Sequence, residues 1–70
     1  MEQAGVRDIE GLAMIGRVRR DWIERADKTG WRLCVELDDG SRLCTPTLSR
    51  DEVELVRRCV EHYMRYPLVR

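Results

Sequence analysis

The sequence lacks three features that would assign a function class directly: a net charge, a long apolar run and a catalytic residue pattern. Its 70 residues include 13 basic and 13 acidic side chains, so the formal net charge is zero. A neutral chain has no global field that would draw it onto nucleic acid or an anionic membrane. No apolar run approaches the roughly 20 residues of a membrane span, and residues 1–8 do not resemble a signal peptide. We expect a cytoplasmic protein without a membrane partner.

Cysteine and histidine are scarce, which limits redox, metal and nucleophilic chemistry. The three cysteines form an odd set, and they lack the density of a secreted disulfide scaffold, which fits a reducing compartment. The sole histidine, His62, could serve as a base only for Cys59, one helical turn earlier. No Gly-rich phosphate loop is present, and the adjacent Asp38 and Asp39 occupy a turn that favours aspartate. We expect a protein that is not an enzyme and needs no cofactor.

A β-hairpin over residues 31–47 is the strongest structural signal in the chain. Apolar and polar residues alternate over residues 31–37, and Asp39 with Gly40 forms a turn signal. A three-residue loop at 38–40, with Gly40 in the left-handed region, keeps the aliphatic residues on one face, whereas a two-residue loop would place Arg42 among the leucines. This register pairs Leu37 with Ser41, Val35 with Leu43, Leu33 with Thr45, Glu36 with Arg42 and Cys34 with Cys44.

The segment before the hairpin allows two interpretations. A single helix over residues 7–26 has apolar residues at spacings of three and four, but it contains Gly11 and Gly16, each costing about 1 kcal/mol relative to alanine. A short helix over residues 7–14 followed by a strand over residues 15–24 moves the glycines to element edges, although Val18 and Ile23 then face opposite sides. We favour the second interpretation because a third strand completes a sheet. Residues 1–6 are expected to form a flexible tail.

The carboxy-terminal segment predicts a helix over about residues 49–66. Ser49 and Glu52 form a capping box, and the expected core stripe consists of Val53, Val56, Val60, Tyr63 and Met64. The fold class is therefore α+β: one domain of two to three antiparallel strands packed against the carboxy-terminal helix, with a short amino-terminal helix. Because so short a chain buries only about 60% of its unfolded surface, a homodimer is a reasonable expectation.

Four residues deserve consideration as metal ligands: Cys34, Cys44, Cys59 and His62. Three cysteines and one histidine are a common structural zinc set. However, nine residues separate Cys34 from Cys44, and the expected register places both on the sheet face away from the helix. We therefore expect small apolar side chains and no metal. A disulfide between Cys34 and Cys44 is geometrically feasible, and it would be transient in a reducing cell.

The surplus apolar surface of the carboxy-terminal helix predicts a protein partner. Besides the core stripe, a third sector of this helix is formed by Leu55, Cys59, His62 and Tyr66, with Arg58 and Arg65 at its rim. Contiguous exposed apolar area usually marks a partner site, although the amino-terminal segment could cover this sector instead. The favoured function is a protein interaction module that regulates, adapts or inhibits a larger, bacterial or phage-related machine.

The alternative function is binding of RNA or DNA through the outer face of the sheet. With three strands this face is expected to display five arginines, opposed by Asp21 and Glu36: Arg17, Arg19, Arg25, Arg32 and Arg42. The order of short helix, three strands and helix is similar in topology to a double-stranded RNA-binding domain, without that family's motif residues. The expected face offers no aromatic side chain for stacking, because Trp22 and Trp31 are predicted on its inner side.

Overall fold

The computed structural model describes residues 2–68 as a four-stranded sheet with a layer of two helices. The elements are β1 (Glu2–Gln3), α1 (Val6–Met14), β2 (Val18–Arg25), β3 (Trp31–Leu37), β4 (Arg42–Cys44) and α2 (Arg50–Arg65). Helix α2 packs against β2 and β3, and α1 packs against α2. The α+β class, the short amino-terminal helix and the strand before the hairpin are therefore confirmed, and α2 lies where the capping signal predicted it.

The hairpin has the predicted register. Strands β3 and β4 pair Cys34 with Cys44 and Val35 with Leu43, and Gly40 has a φ of 88°. That value lies in the left-handed region that glycine adopts without the steric cost of a Cβ. Strand β4 ends earlier than the predicted hairpin, at Cys44.

Strand β2 contains a bulge at Arg19. Its pairing with β3 joins Val18 to Leu37 but Arg20 to Glu36, so one extra residue interrupts the ladder. A bulge of this kind shifts the alternation of side chains between the two faces of a sheet. The alternation of side chains between the inner and outer faces of the sheet therefore shifts by one residue at Arg19.

The bulge allows Val18 and Ile23 to lie on the same face of β2, whereas an uninterrupted strand would place them on opposite faces. Both Val18 and Ile23 contact the core beneath the helices, although four residues separate them. Trp22 pairs with Cys34 and consequently lies on the outer face of the sheet. The prediction that Trp22 lies on the inner side is therefore wrong, because it assumed an uninterrupted alternation.

The amino-terminal residues also differ from the prediction of a flexible tail. Residues Glu2 and Gln3 form β1, which pairs in parallel with Leu43 and Cys44 at the edge of the sheet. The backbone N–H of Ala4 donates to the carbonyl oxygen of Cys44 at 2.8 Å. The strand order is β1-β4-β3-β2. The sheet is therefore mixed and has four strands, whereas two to three antiparallel strands were expected. Met1 lies outside the described residues.

One apolar core lies between the sheet and the helices. Its buried side chains are Ile9, Ala13, Val18, Leu33, Val35, Leu37, Val53, Val56 and Val60. The capping box at the start of α2 is present as predicted, since Ser49 Oγ accepts from the Glu52 N–H at 3.2 Å and Glu52 Oε1 accepts from the Ser49 N–H at 3.0 Å. Within residues 2–68, no helix combines the length and the apolar character needed to cross a bilayer.

Candidate functional site

The exposed large apolar side chains of residues 2–68 all lie on the two helices or directly after them. They are Ile15, Leu55, Tyr66 and Leu68, with 47%, 61%, 60% and 68% of their surface accessible. These four residues and the exposed His62 are called the helical patch. It lies on the side of the molecule opposite the outer face of the sheet, because the helices cover the inner face.

Two contacts bring the carboxy-terminal part of the helical patch together. The backbone N–H of Leu68 donates to the carbonyl oxygen of Met14 at 2.8 Å, which places Leu68 beside the end of α1. The ring centroids of His62 and Tyr66 are 5.4 Å apart. Leu55 lies two turns before His62, about 10 Å along the helix axis. The patch therefore extends along most of α2.

Cys59 lies in the same sector of α2 but is half-buried. Burial raises the pKa of its thiol, and the nearby carboxylate of Glu10 on α1 raises it further. A thiol with a raised pKa is a poor nucleophile because the thiolate is the reactive form. Helix α1 thus covers part of the predicted sector, whereas Leu55, His62 and Tyr66 stay accessible.

Two arginines border the helical patch without a carboxylate partner. In the described part of the chain, Arg58 and Arg65 are exposed and neither forms an ion pair within 4.0 Å. Arg57, by contrast, lies 3.4 Å from Asp21 Oδ2 and 3.2 Å from Glu61 Oε2. The predicted rim therefore presents two positive charges that a partner's acidic groups could meet.

The five arginines predicted on one basic face are separated in the structure. Arg17 precedes β2 and donates to Asp38 Oδ1 at 3.2 Å, and Arg19 is the exposed bulge residue. Arg25 is in phase with the inner face, and its guanidinium carbon lies 4.7 Å from the centroid of the Trp31 ring. Only two of the five, Arg32 and Arg42, lie on the outer face of the sheet, as predicted.

The arginines on the outer face are each opposed by a glutamate. Arg32 Nη2 lies 3.3 Å from Glu24 Oε2, and Arg42 Nε lies 3.8 Å from Glu36 Oε2. Arg20, which the sequence pattern did not single out, donates to Glu36 Oε1 at 2.9 Å. These three arginines therefore share two glutamates, so most of their positive charge on the described outer face is balanced.

Trp22 adds an aromatic side chain to this outer face. Its ring centroid lies 5.9 Å from the guanidinium carbon of Arg20, and its indole N–H donates to Glu24 Oε1 at 3.1 Å. An open cavity of about 420 Å³ beside it is lined by Arg20, Asp21, Trp22 and Arg42. The face thus offers a half-buried indole next to two guanidinium groups.

The four candidate zinc ligands do not converge. Cys34 and Cys44 form a cross-strand disulfide on the outer side of the sheet. Cys59 and His62 belong to α2, on the other side of the sheet. Instead, Glu24 lies beside the two sulfur atoms, and its carboxylate and both sulfurs lie within 4.8 Å of one another.

Sequence reasoning missed Trp22 and Glu24 as outer-face residues for the same reason. Both follow the bulge at Arg19, and nothing in the residue types near Arg19 marks a bulge. Ile15 was missed because it was assigned to a strand, whereas it ends α1 as the C-cap residue. In comparisons with known proteins, the chain matches no protein family, no curated protein and no solved structure. Its function is therefore interpreted from its own residues.

Proposed function

We propose that the protein is a non-enzymatic interaction module that binds another protein through the helical patch and so regulates, adapts or inhibits a larger assembly. The observation that carries this proposal is the position of the exposed apolar side chains: all four of the large ones in residues 2–68 lie on the helical layer. An even scatter over the surface would need no explanation, but apolar side chains concentrated on one side are typical of a partner site.

The residue types of the patch also suit a protein interface. Tyrosine and arginine are enriched among the residues that dominate binding energy, and the centre of an interface is apolar while its rim is polar. Tyr66 and Leu55 would form the apolar centre, and Arg58 and Arg65 would form a positively charged rim. Such a surface fits a partner with an apolar groove bordered by acidic residues. A second copy of the chain could also cover it.

Substitution of the exposed apolar residues tests this proposal. We expect Leu55→Glu and Tyr66→Ala to abolish self-association measured by light scattering, or capture of a partner from native lysate, because each removes apolar contact area. Both residues are exposed, so the fold measured by circular dichroism should not change. Arg19→Glu, at the exposed bulge of β2 and outside the helical patch, is the matched control. An unchanged mass and an unchanged set of captured proteins in both patch variants would contradict the proposal.

The second candidate function is nucleic-acid binding at the outer face of the sheet, and the position of Trp22 favours it. Single-stranded nucleic acids stack their bases on accessible aromatic rings beside cationic side chains. Trp22 lies next to Arg20 and shares a cavity with Arg42. The ion pairs of both arginines with Glu36 oppose this function, since a phosphate would have to displace the carboxylate.

A salt titration separates the two candidates. Binding to a mixed RNA pool or to duplex DNA should weaken steeply as salt rises if phosphate contacts contribute, because each contact releases counterions. Trp22→Ala should reduce the affinity for single strands about 5-fold or more, given the 1 to 3 kcal/mol that stacking contributes per base. Leu55→Glu is the control that should leave it unchanged. Absence of binding at low salt would exclude this function.

A further inference from the structure

On the outer face of the sheet, the sulfur atoms of Cys34 and Cys44 and the carboxylate of Glu24 form a cluster that neither candidate function uses. The surfaces of Cys34 and Cys44 are 0% and 4% accessible, and their Cα atoms are 4.0 Å apart at directly opposed positions of β3 and β4. Glu24 Oε1 lies 3.0 Å from Cys34 Sγ. A disulfide sulfur carries no hydrogen, so this contact has no donor while the disulfide is intact.

We propose that reduction of the disulfide creates a binding site for one divalent zinc-class cation, with Cys34, Cys44 and Glu24 as its three protein ligands. The ligand atoms lie within 4.8 Å of one another. Zinc bonds of about 2.3 Å to sulfur and about 2.0 to 2.2 Å to carboxylate oxygen fit inside such a cluster after small side-chain rotations. Thiolates also select soft cations over magnesium or calcium.

The chemistry balances in two steps. In the first step a small dithiol reductant transfers two electrons and two protons: the S–S bond between Cys34 and Cys44 breaks, two thiols form, and the reductant becomes a disulfide. In the second step the cation displaces both thiol protons into solvent, two metal–sulfur bonds form and Glu24 supplies the third bond. The disulfide and the metal site therefore exclude each other, because the metal ligand is a thiolate and a sulfur in an S–S bond is not one.

The charges around the cluster favour a divalent ion. Arg32 Nη2 lies 3.3 Å from Glu24 Oε2, so the arginine and the carboxylate cancel. Two thiolates and one divalent cation also cancel, so the loaded site has no net charge. This matters because an uncompensated charge in a buried site is costly. A monovalent ion would leave one negative charge behind.

Neighbouring groups position the Glu24 carboxylate, and a cavity adjoins the cluster. The indole N–H of Trp22 donates to Glu24 Oε1 at 3.1 Å, and Arg32 holds the other oxygen. Such outer contacts orient metal ligands and typically change affinity about 10- to 100-fold when they are removed. A cavity of about 200 Å³ adjoins the cluster, and it is lined by Glu2, Gln3, Arg32, Cys44, Thr45, Pro46 and Thr47. An ion can therefore approach from the Cys44 side.

Zinc titration of the full chain tests the proposal. The protein is reduced with a phosphine, exchanged into oxygen-free buffer and titrated with zinc chloride against a chromophoric chelator. We expect one equivalent of zinc to bind to reduced protein and none to the disulfide form. Failure of reduced wild-type protein to bind zinc would overturn the proposal. The helical patch takes no part, so the result is independent of the proposed function.

Variants identify the ligands in the same assay. Glu24→Gln retains both cysteines and should weaken zinc binding at least about 10-fold, and Trp22→Phe should weaken it by a similar factor through loss of the N–H donor. Cys59→Ser is the matched cysteine control and should bind zinc like the wild type. Unchanged affinity in Glu24→Gln, or equal loss in Cys59→Ser, would overturn the assignment. Circular dichroism of the disulfide forms verifies that each variant is folded.

Discussion

Arg57 Nε on α2 lies 3.4 Å from Asp21 Oδ2 on β2, and this ion pair links the helix to the sheet. The Asp21 side chain is only 8% accessible. Burial raises the pKa of Asp21 above its ordinary 3.8, the negative charge of Glu61 raises it further, and Arg57 opposes both effects. Asp21 is therefore a carboxyl group whose ionisation the fold disfavours.

The first prediction concerns the pH dependence of stability. Because the folded pKa of Asp21 is raised, its favourable contribution is complete below pH 3.8 and is lost as the pH rises through the folded value. We expect Asp21→Asn to gain stability relative to the wild type over this window, measured by urea unfolding at a series of pH values. Glu61→Gln should show a weaker effect of the same sign. A stability difference that does not vary with pH would contradict this assignment.

The second prediction concerns the close approach of Gly30 to Thr47. A Cβ at position 30 would meet the Thr47 Cγ2 methyl group, too close for two carbon atoms. We expect Gly30→Ala to destabilise the fold by about 1 to 3 kcal/mol. Adding Thr47→Ser removes the methyl group and should recover most of the loss in thermal unfolding.

Gly11 provides the matched glycine control for that experiment. It lies inside α1, and a Cβ there would meet no atom within 4 Å. Gly11→Ala should therefore stabilise the protein by about 0.5 to 1 kcal/mol, since alanine is the better helix former. Equal effects of the two alanine substitutions would show that the contact with Thr47 is unimportant.

The third prediction concerns the capping box of α2. Ser49→Ala removes the acceptor for the Glu52 N–H and should cost about 1 kcal/mol, whereas Ser49→Asp retains an acceptor and should cost much less. The Ser49 backbone N–H lowers the pKa of Glu52, so the contribution of Glu52 is present above pH 4.5 and is lost as the pH falls. Chemical unfolding of the variants at neutral and acidic pH measures both effects.

The fourth prediction contrasts a core leucine with a patch leucine. Leu33 is 0% accessible, and Leu33→Ala should cost about 2 to 5 kcal/mol. Leu55 is 61% accessible, and Leu55→Ala should change monomer stability by no more than about 0.5 kcal/mol. Unfolding is measured at low protein concentration, where self-association is minimal. A large loss in Leu55→Ala would mean that Leu55 is buried in solution.

The elements predicted correctly depend on neighbours in the chain. The register of the hairpin follows from Gly40 and from the alternation around Val35, and both lie within a few residues of the turn. The start of α2 follows from Ser49 and Glu52, three positions apart. A short stretch of sequence contains such signals completely, because turn geometry and helix capping involve residues only a few positions apart.

The elements predicted wrongly depend on contacts between distant residues. Strand β1 exists because Glu2 and Gln3 reach the edge of β4, some forty positions away. Cys59 on α2 is half-buried, and Glu10, which lies near its thiol, belongs to α1. A two-residue strand and a half-buried thiol have no local signature, so packing between distant segments decided both the order of the amino-terminal residues and the partial cover of Cys59.

The sequence by itself determined the α+β class, the hairpin register, the capped helix and the apolar stripe that helix buries. Only the tertiary structure decided which face Trp22 and Glu24 occupy. The bulge at Arg19 moves the residues after it to the opposite face of the sheet, and no residue type near Arg19 predicts a bulge. It also decided that Glu24, and not Cys59 or His62, lies beside the disulfide. The physical reason is that alternation and capping are local, whereas the faces of a sheet are assigned by which strand packs against which helix.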